Sequence, residues 1–529
     1  MSMSYRLNIL PANIKVQAQE GDTVLDLLRN AGLHPDAPCG GKGSCRKCRV
    51  FINRHFCMKE EAEEKETVKR IIDGQIFTEA LACQSIIDCD MDLYYEGAGD
   101  LNILEDSKNG SGLHSESIMS RGKDLAAAFD IGTTSVVCYI LDIDTAECVA
   151  RSSMLNPQSQ FGADVISRCE YALEHGVMPL SEAIRSAMDQ LMLECAEDLN
   201  RIKLISVVGN TCMHHLLLGI DIKSLTVAPY EAVVKDALVM KAADLGLINA
   251  CRGDAAGPAD NKDAVVRILP NIAGFVGSDT VACILSSRMD ESEELTLMID
   301  IGTNGEMVLG NKDRMICCST AAGPAFEGAK IECGMRGSIG AIDHVAVKDG
   351  RLDCHIIGSE DDEHIKAAGI CGSGILDAVA AALTLGLIDD FGKISSGNIM
   401  LSDGIYLSQK DIREVQLAKA AIAAGIELLS EKLAVRVNDI ERVLIAGAFG
   451  NYMDPVSACA IGLIPQILSD KIQMIGNAAG EGSIMAALSE KAWEHAQQIS
   501  RKTEFLELAS SEDFQDIFVD NLTFDTDIY

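Results

Sequence analysis

Residues 129–134 read Phe-Asp-Ile-Gly-Thr-Thr, and residues 299–304 read Ile-Asp-Ile-Gly-Thr-Asn. Each copy follows an apolar, strand-like run and leads into a second one, so each predicts a glycine turn between two strands. Glycine turns are common in hairpins, but the Asp-Ile-Gly-Thr order shared by the two copies favours an internal duplication. Strand patterns alternate with helical patterns from residue 124 onward, which indicates an α/β domain.

The two turns suit phosphate binding. Backbone N–H groups and hydroxyls of a Gly-Thr turn can bind phosphate oxygens, and a neighbouring carboxylate can hold Mg2+ through water. Two such turns would bind a polyphosphate from both sides, with Asp130 and Asp300 as the catalytic carboxylates. Glu306 and Glu327 are candidates to orient an attacking water, with a structural carboxylate as the alternative for each. The expected phosphate-binding residues are Gly132, Thr133, Thr134, Gly302, Thr303, Asn304 and Gly305.

A third motif follows the two turns. Residues 445–450 read Ile-Ala-Gly-Ala-Phe-Gly, and the three motifs in this order resemble the phosphate and adenosine motifs of the acetate kinase, sugar kinase, Hsp70 and actin superfamily. The resemblance implies a duplicated, RNase H-like (ASKHA) ATPase domain over residues 124–529, with ATP and Mg2+ as ligands. No segment matches G-x-x-x-x-G-K-S/T, which excludes a P-loop ATPase. Further nucleotide contacts are expected from Gly323, Gly372, Ser373, Gly374, Gly447, Ala448 and Phe449.

Four cysteines near the N-terminus indicate an iron–sulfur site. Cys39, Cys45, Cys48 and Cys83 are spaced C-x5-C-x2-C-x34-C, with three glycines inside the first loop. Three thiolates from one glycine-rich loop and a distant fourth match the way a 2Fe–2S cluster is held, because the glycines free backbone N–H groups to face the sulfurs. A four-cysteine zinc site is the alternative, but zinc ribbons present two separated C-x2-C pairs and only one occurs here.

With this spacing, residues 4–95 resemble the plant-type and adrenodoxin-type ferredoxins, and the x5 loop is nearer to the adrenodoxin pattern. The resemblance implies a β-grasp ferredoxin domain over residues 1–95. Residues 96–123 are rich in Gly, Ser and Asn and lack apolar periodicity, so they predict a flexible linker. The acidic segment from residue 505 to the C-terminus carries spaced phenylalanines and is expected to fold back as a cap or an edge strand.

The composition excludes several function classes. The chain of 529 residues has 45 Lys and Arg against 79 Asp and Glu, a formal net charge of −34. Such a charge repels nucleic acid and anionic lipid, so we expect neither nucleic acid nor a membrane as partner. The sequence has no membrane-length apolar run and no signal-peptide pattern, which predicts a cytoplasmic protein. In a reducing cytoplasm the 19 cysteines are expected to be core residues or metal ligands.

A ferredoxin module joined to an actin-like ATPase resembles the reductive activators of corrinoid proteins. Residues 208–219 and 318–328 look like signatures of that family. The resemblance implies ATP-dependent, one-electron reduction of an inactivated Co(II) corrinoid protein to the methyl-accepting Co(I) state. The implied partners are the corrinoid protein of a methyltransferase or O-demethylase system and an upstream electron donor, and a homodimer is a further option.

Three other functions stay open at this point. An ATP-dependent activator of another iron–sulfur enzyme would share the ATPase, but its cluster cysteines would lie at a dimer interface. A small-molecule kinase would need an acceptor pocket, which the sequence neither shows nor excludes. A redox-gated nucleotide sensor would bind ATP without turnover.

Overall fold

The computed structural model describes residues 4–31, 33, 35, 41, 43, 48–54, 69–72, 75–95, 124–196, 198–247, 264–302, 304–328, 330–359, 364–450, 452–511 and 513–524. The predicted linker lies outside these ranges. The chain divides into two compact units, Met1–Leu101 with Pro157–Tyr171 and Asn102–Asn156 with Ala172–Tyr529. Within the described ranges, no helix combines the length and the apolar character needed to cross a membrane.

The N-terminal unit contains a six-stranded mixed sheet in the order β2-β1-β6-β3-β5-β4, in which β1 and β6 pair in parallel. Thr23 caps the helix α1 by accepting a hydrogen bond from the Asp26 N–H, and the apolar face of α1 packs on the sheet. This is the β-grasp arrangement that the ferredoxin resemblance predicts. The element bounds are β1 Ser4–Leu10, β2 Ile14–Gln19, α1 Val24–Asn30, β3 Arg49–Arg54, β4 Lys69–Ile72, β5 Gln75–Leu81 and β6 Met91–Tyr94.

The second unit contains two further six-stranded sheets and two small ones. The first large sheet consists of β7 Leu125–Ile131, β8 Ser135–Asp142, β9 Cys148–Leu155, β10 Ile202–Gly209, β11 Leu238–Lys241 and β12 Val265–Ile268. The second consists of β13 Thr296–Ile301, β14 Gly305–Gly310, β15 Met315–Thr320, β21 Arg442–Ala446, β22 Ile472–Gly476 and β23 Glu504–Phe505. The small sheets are formed by β16 Ala341–Lys348, β17 Arg351–Ile356 and β18 Gly369–Ile370, and by β19 Ile399–Ser402 and β20 Ile405–Leu407.

The two large sheets repeat one topology. Their strand orders are β11-β12-β10-β7-β8-β9 and β22-β21-β13-β14-β15-β23. In each sheet the first strand along the chain, β7 or β13, lies in the middle and starts an antiparallel meander on one side. On its other side it pairs in parallel with β10 or β21. The predicted duplication is therefore present in the fold, and each Asp-Ile-Gly-Thr turn joins the first two strands of its sheet.

Helices cover both sheets and join them. The helix α7 packs against α12, and α12 also crosses β7 and β10. One hydrophobic core contains buried residues of both sheets, among them Val208 of the first and Met298 of the second. The bounds of these helices are α3 Met178–Cys195, α4 Thr211–Leu218, α5 Lys223–Thr226, α6 Ala242–Leu245, α7 Ser278–Ser287, α8 Gly372–Thr384, α9 Gln409–Leu433, α10 Gly447–Gly450, α11 Pro455–Ala460, α12 Ala478–Leu488, α13 Glu490–Lys502 and α14 Phe514–Asp520. The helix α2 Val165–His175 belongs to the first unit as far as Tyr171.

The C-terminal segment folds back on the second unit. Strand β23 pairs with β15 at the edge of the sheet, and α14 packs on α9. The Gln416 side chain of α9 donates a hydrogen bond to the Leu522 carbonyl at 2.7 Å, and Phe524 is buried. The segment thus forms both an edge strand and a helical cap.

Candidate functional site

Both predicted turns lie at the carboxyl ends of central strands. Because β7 pairs in parallel with β10, Ile131 is level with Gly209. Because β13 pairs in parallel with β21, Asp300 is level with Ala446, the second residue of the predicted adenosine motif. The carboxyl ends of parallel strands are where open α/β sheets bind ligands, so the topology places the turns at ligand-binding edges.

The backbone of the first turn is held from two sides. The Gly132 N–H donates to the Ser135 carbonyl at 2.9 Å and closes the turn. The buried side chain of Asn156 donates from Nδ2 to the Gly132 carbonyl at 2.8 Å, and its N–H donates to the Thr134 carbonyl at 2.9 Å. These contacts fix the direction of the turn before any ligand binds.

The two threonine hydroxyls of this turn also have partners. Asn210 Nδ2 donates to Thr133 Oγ1 at 3.0 Å. Thr134 Oγ1 donates to Glu327 Oε2 at 3.2 Å, which links the first turn to a loop that follows β15. Glu327 therefore contacts the first turn, although it lies 193 positions after Thr134 in the chain.

Asp130, the carboxylate of the first turn, is held by Asn477. Asn477 caps α12 by accepting the Gly480 N–H at 2.8 Å, and it donates to the Tyr139 hydroxyl at 3.2 Å. It also hydrogen-bonds to the Asp130 carboxylate. The C-terminal part of the second unit thus supplies a side chain that orients the first catalytic candidate.

The second turn is tighter. The Gly302 N–H donates to the Asn304 carbonyl at 2.9 Å, and Glu306 accepts a hydrogen bond from Ser319 Oγ at 3.2 Å. A Cβ atom on Gly447 would lie 2.5 Å from Asp300 Oδ1, so only glycine permits this approach of the adenosine motif to the carboxylate. Thr303 lies outside the described residues.

Four carboxylates gather at these two turns, and their pKa values are raised together. Burial raises the pKa of Asp130 to about 7, aided by the charge of Asp300 and opposed by the hydrogen bond from Asn477. Burial raises the pKa of Asp300 to about 6. Burial and the charges of Asp279 and Asp300 raise the pKa of Glu306 well above its usual range. Carboxylates whose pKa values are raised by burial, and in three of the four also by neighbouring negative charges, mark a candidate functional site.

The fourth carboxylate, Asp279, is absent from the sequence prediction. It lies in the first turn of α7, and burial together with the charge of Asp300 raises its pKa to about 7. A lone acid at a helix start is ordinarily a favourable interaction with the helix dipole, so its sequence context gave no reason to prefer a site role. The available signal was the Gly-Ser-Asp-Thr stretch, residues 277–280, directly before an apolar helical run.

Among the described residues, no three His, Cys, Asp or Glu side chains are arranged to hold a metal ion directly. The four carboxylates nevertheless form an anionic donor set around the two turns. Carboxylates that do not surround an ion directly suit Mg2+ that keeps several of its waters, as this ion does at phosphate sites.

The remaining predicted nucleotide contacts fall into two groups. Gly372, Ser373 and Gly374 form the buried first turn of α8, and a Cβ on Gly372 would lie 1.8 Å from the Phe326 carbonyl. The Phe449 ring stacks on Phe326 with centroids 5.2 Å apart, so it packs within the protein. Gly323 adopts a φ of 77° and lies beside Lys330, and Gly447 and Ala448 start α10 after β21.

The described part of the cluster loop fits an iron–sulfur site. Cys39 and Cys45 lie outside the described residues, while Cys48 is buried and Cys83 is half-buried. The Ala82 N–H donates to the Cys48 carbonyl at 2.8 Å, which fixes the segments of these two cysteines beside each other. Gly41 has a φ of 92°, and a Cβ there would lie 3.9 Å from Cys83 Cβ. Gly41 therefore lies beside the fourth cysteine.

Comparisons with known families match all three parts of the chain. The model of the 2Fe–2S iron–sulfur cluster binding domain matches residues 7–88, the RACo middle region matches residues 125–292, and the C-terminal ASKHA domain of RACo matches residues 294–528. The corrinoid activation enzyme RamQ of Eubacterium limosum is 32% identical over 96% of this chain and 97% of its own length. The chain belongs to the RACo family.

Two further relatives agree with this membership in the RACo family. The Co(II) methylated amine-specific corrinoid protein reductase of Methanosarcina barkeri is 29% identical over 75% of this chain and 76% of its own. The solved structure of a reductive activator for corrinoid, iron-sulfur protein is 27% identical, with a TM-score of 0.67 over 98% of both chains. The RACo middle region contains the first Asp-Gly turn and Asp279, and the RACo ASKHA domain contains the second turn.

Proposed function

We propose that this protein uses ATP to return an inactivated Co(II) corrinoid protein to the Co(I) state, with one electron delivered through a 2Fe–2S cluster. The proposal is carried by one observation: two Asp-Gly turns and four carboxylates lie together in a chain that also matches a 2Fe–2S domain. The names of the relatives, a corrinoid activation enzyme and a corrinoid protein reductase, support the choice of partner.

In this proposal the two turns bind the phosphates of ATP from opposite sides. Backbone N–H groups and the Thr133 hydroxyl donate to phosphate oxygens, Thr134 keeps its hydroxyl bond to Glu327, and Asp130 and Asp300 would hold Mg2+ through water. Burial raises the pKa values of both carboxylates, and a bound cation would favour their ionised forms. Binding of MgATP therefore stabilises the ionised form of the site.

Asp279 is the favoured base for hydrolysis. A base works best with a pKa near the working pH, and the pKa of Asp279 is about 7. Glu306 is the weaker candidate because two side chains, Ser319 and Asn304, already donate hydrogen bonds to it, whereas the donors to Asp279 are the backbone N–H groups of Thr280 and of Asp279 itself. In the reaction, Asp279 accepts a proton as water attacks the γ-phosphorus, the bond to the bridging oxygen breaks, and ADP leaves.

For the redox part, we propose Cys39, Cys45, Cys48 and Cys83 as the ligands of the cluster. When bound, a 2Fe–2S cluster supplies electrons one at a time. We propose the domain division of residues 1–95, 96–123 and 124–529, so that the cysteine-bearing module and the nucleotide site belong to separate domains. The chain then acts in the cytoplasm between an upstream electron donor and the corrinoid protein of a methyltransferase or O-demethylase system.

ATP is needed because Co(I) is a strongly reduced state that an ordinary ferredoxin does not populate. Nucleotide binding can shift the reduction equilibrium only by its different affinity for two states of the complex. Hydrolysis then makes the cycle directional, since ADP does not have the same affinities as ATP for the two states of the complex.

The test is an anaerobic absorbance experiment with a Co(II) corrinoid protein, a reductant, MgATP and this protein. We expect the Co(II) spectrum to convert to Co(I) only when all components are present. Asp300→Asn should bind the corrinoid protein but fail to support conversion, and Cys83→Ser should hydrolyse ATP but fail likewise. Phosphorylation of a small metabolite without any change at cobalt would reject the activator function in favour of a kinase.

A further inference from the structure

Asn210 lies beside the first phosphate turn, between two closely packed backbone segments. It lies between β10 and α4, and it was not among the predicted site residues. A Cβ on Gly209 would lie 2.6 Å from the Ile131 carbonyl, and a Cβ on Gly277 would lie 2.5 Å from Asn210 Cα. Two glycines therefore let the Asn210 backbone sit between the strand that carries Asp130 and the start of α7, which carries Asp279.

The two ends of the Asn210 side chain have different partners. Its Oδ1 accepts the Met213 N–H at 3.0 Å and caps α4. Its Nδ2 donates to Thr133 Oγ1 at 3.0 Å. Because the amide oxygen is used by the helix, only the NH2 group faces Thr133. The threonine oxygen must accept at this contact, and its own O–H proton therefore points away from Asn210.

We propose that Asn210 is a positioning residue that sets the Thr133 hydroxyl as a hydrogen-bond donor to a phosphate oxygen of ATP. Phosphate oxygens only accept hydrogen bonds, whereas a threonine hydroxyl can rotate between donor and acceptor orientations. An orientation that is fixed before binding costs no rearrangement when the ligand arrives. This inference rests on the proposed nucleotide site and adds a residue from outside the phosphate motifs to it.

The competing role is that Asn210 merely caps α4. Serine separates the two roles, since it is as good a helix cap as asparagine but carries no amide to reach Thr133. Asn210→Ser therefore keeps the acceptor for Met213 N and removes only the donor to Thr133. Asn210→Ala removes both and reports the cost of the cap.

The test is a double-mutant cycle on the full chain, with MgATP binding measured by calorimetry and unfolding measured in parallel. We expect Asn210→Ser to weaken MgATP binding on the order of fivefold, the size of one ordinary hydrogen bond, with little change in stability. Thr133→Val removes the hydroxyl itself, so adding Asn210→Ser to it should weaken binding no further.

Three outcomes would overturn the inference. The first is parent-like MgATP binding by Asn210→Ser, and the second is a double variant in which the two single effects multiply. In the third, the parent chain does not bind MgATP, which would reject the proposed nucleotide site and this inference with it. The first two leave that site standing, so failure of the inference and failure of the proposed function are distinguishable.

Discussion

Replacing Gly447 with alanine should remove ATP hydrolysis while leaving the protein folded. Gly447 has a φ of 88°, and a Cβ there would lie 2.5 Å from Asp300 Oδ1. Ordinary van der Waals contact begins at 3.4 Å, so the carboxylate would have to move by about 0.9 Å. The carboxylate cannot keep its place in the site once the methyl group is present.

Two separate costs follow from this change. A displacement of about 1 Å in a reacting geometry lowers rates on the order of 100-fold. An alanine in the left-handed region costs about 1–2 kcal/mol of folding free energy. For a unit of about 400 residues that cost lowers Tm by only about 1 °C per kcal/mol, because the entropy of unfolding grows with the number of residues. Phosphate release at saturating MgATP and thermal unfolding measure the two effects independently.

Gly386→Ala is the matched control. Gly386 also has a positive φ, 66°, but its Cβ position has no atom within 4 Å. It should therefore show the same fall in Tm and retain its ATPase rate. A displaced Asp300 is excluded as the cause if Gly447→Ala hydrolyses ATP within about threefold of the parent rate, or if Gly386→Ala loses as much activity as Gly447→Ala.

Three further predictions concern Asp279 and the cysteines. Asp279→Asn should slow phosphate release by on the order of 100-fold or more while calorimetry still detects MgATP binding, because a base is lost and the turns are not; a parent-like rate would exclude this role. The pKa of Asp279 is about 7 in the folded chain and 3.8 in the free residue. Between these pH values the folded chain therefore binds one more proton than the unfolded chain at this site. Above them the buried carboxylate is ionised, which lowers the free energy of unfolding. Asp279→Asn should therefore be more stable than the parent in urea with EDTA at pH 8, and this gain should disappear below about pH 4. Cys83→Ser should lose iron, sulfide and visible absorbance, whereas Cys89→Ser, in the hydrophobic core of the N-terminal unit, should keep them; equal loss from both would contradict the ligand assignment.

The candidate site was predictable only in part. Asp130, Asp300 and Glu306 were expected from motifs, and the raised pKa values place them within reach of one another's charge. Asp279 was missed, since an acid at a helix start has an ordinary local explanation. The nucleotide contact expected of Phe449 stays a prediction, and one face of its ring stacks on Phe326.

The hydrogen bonds that hold the first turn could not be predicted from the sequence. Asn156, Asn210 and Asn477 each hold a different residue of that turn, and they come from three separate elements. An asparagine after a strand or at a helix start is a normal cap or turn residue. Its second hydrogen bond depends on which strand lies alongside, and no local pattern contains that information.

The sequence by itself determined the cysteine spacing, the duplicated Asp-Gly turn and the order of the three nucleotide motifs. These features are local, because a turn needs glycine and a cluster loop needs thiolates at set intervals, whatever surrounds them. Tertiary structure alone decided that Asp279 joins Asp130 and Asp300, that Glu327 reaches Thr134, and that Asn210 faces Thr133. The contact of Asn210 with Thr133 depends on the parallel pairing of β7 with β10, and the place of Asp279 depends on the packing of α7 against α12. Burial within that packing, and not residue type, raises the pKa values that mark the site.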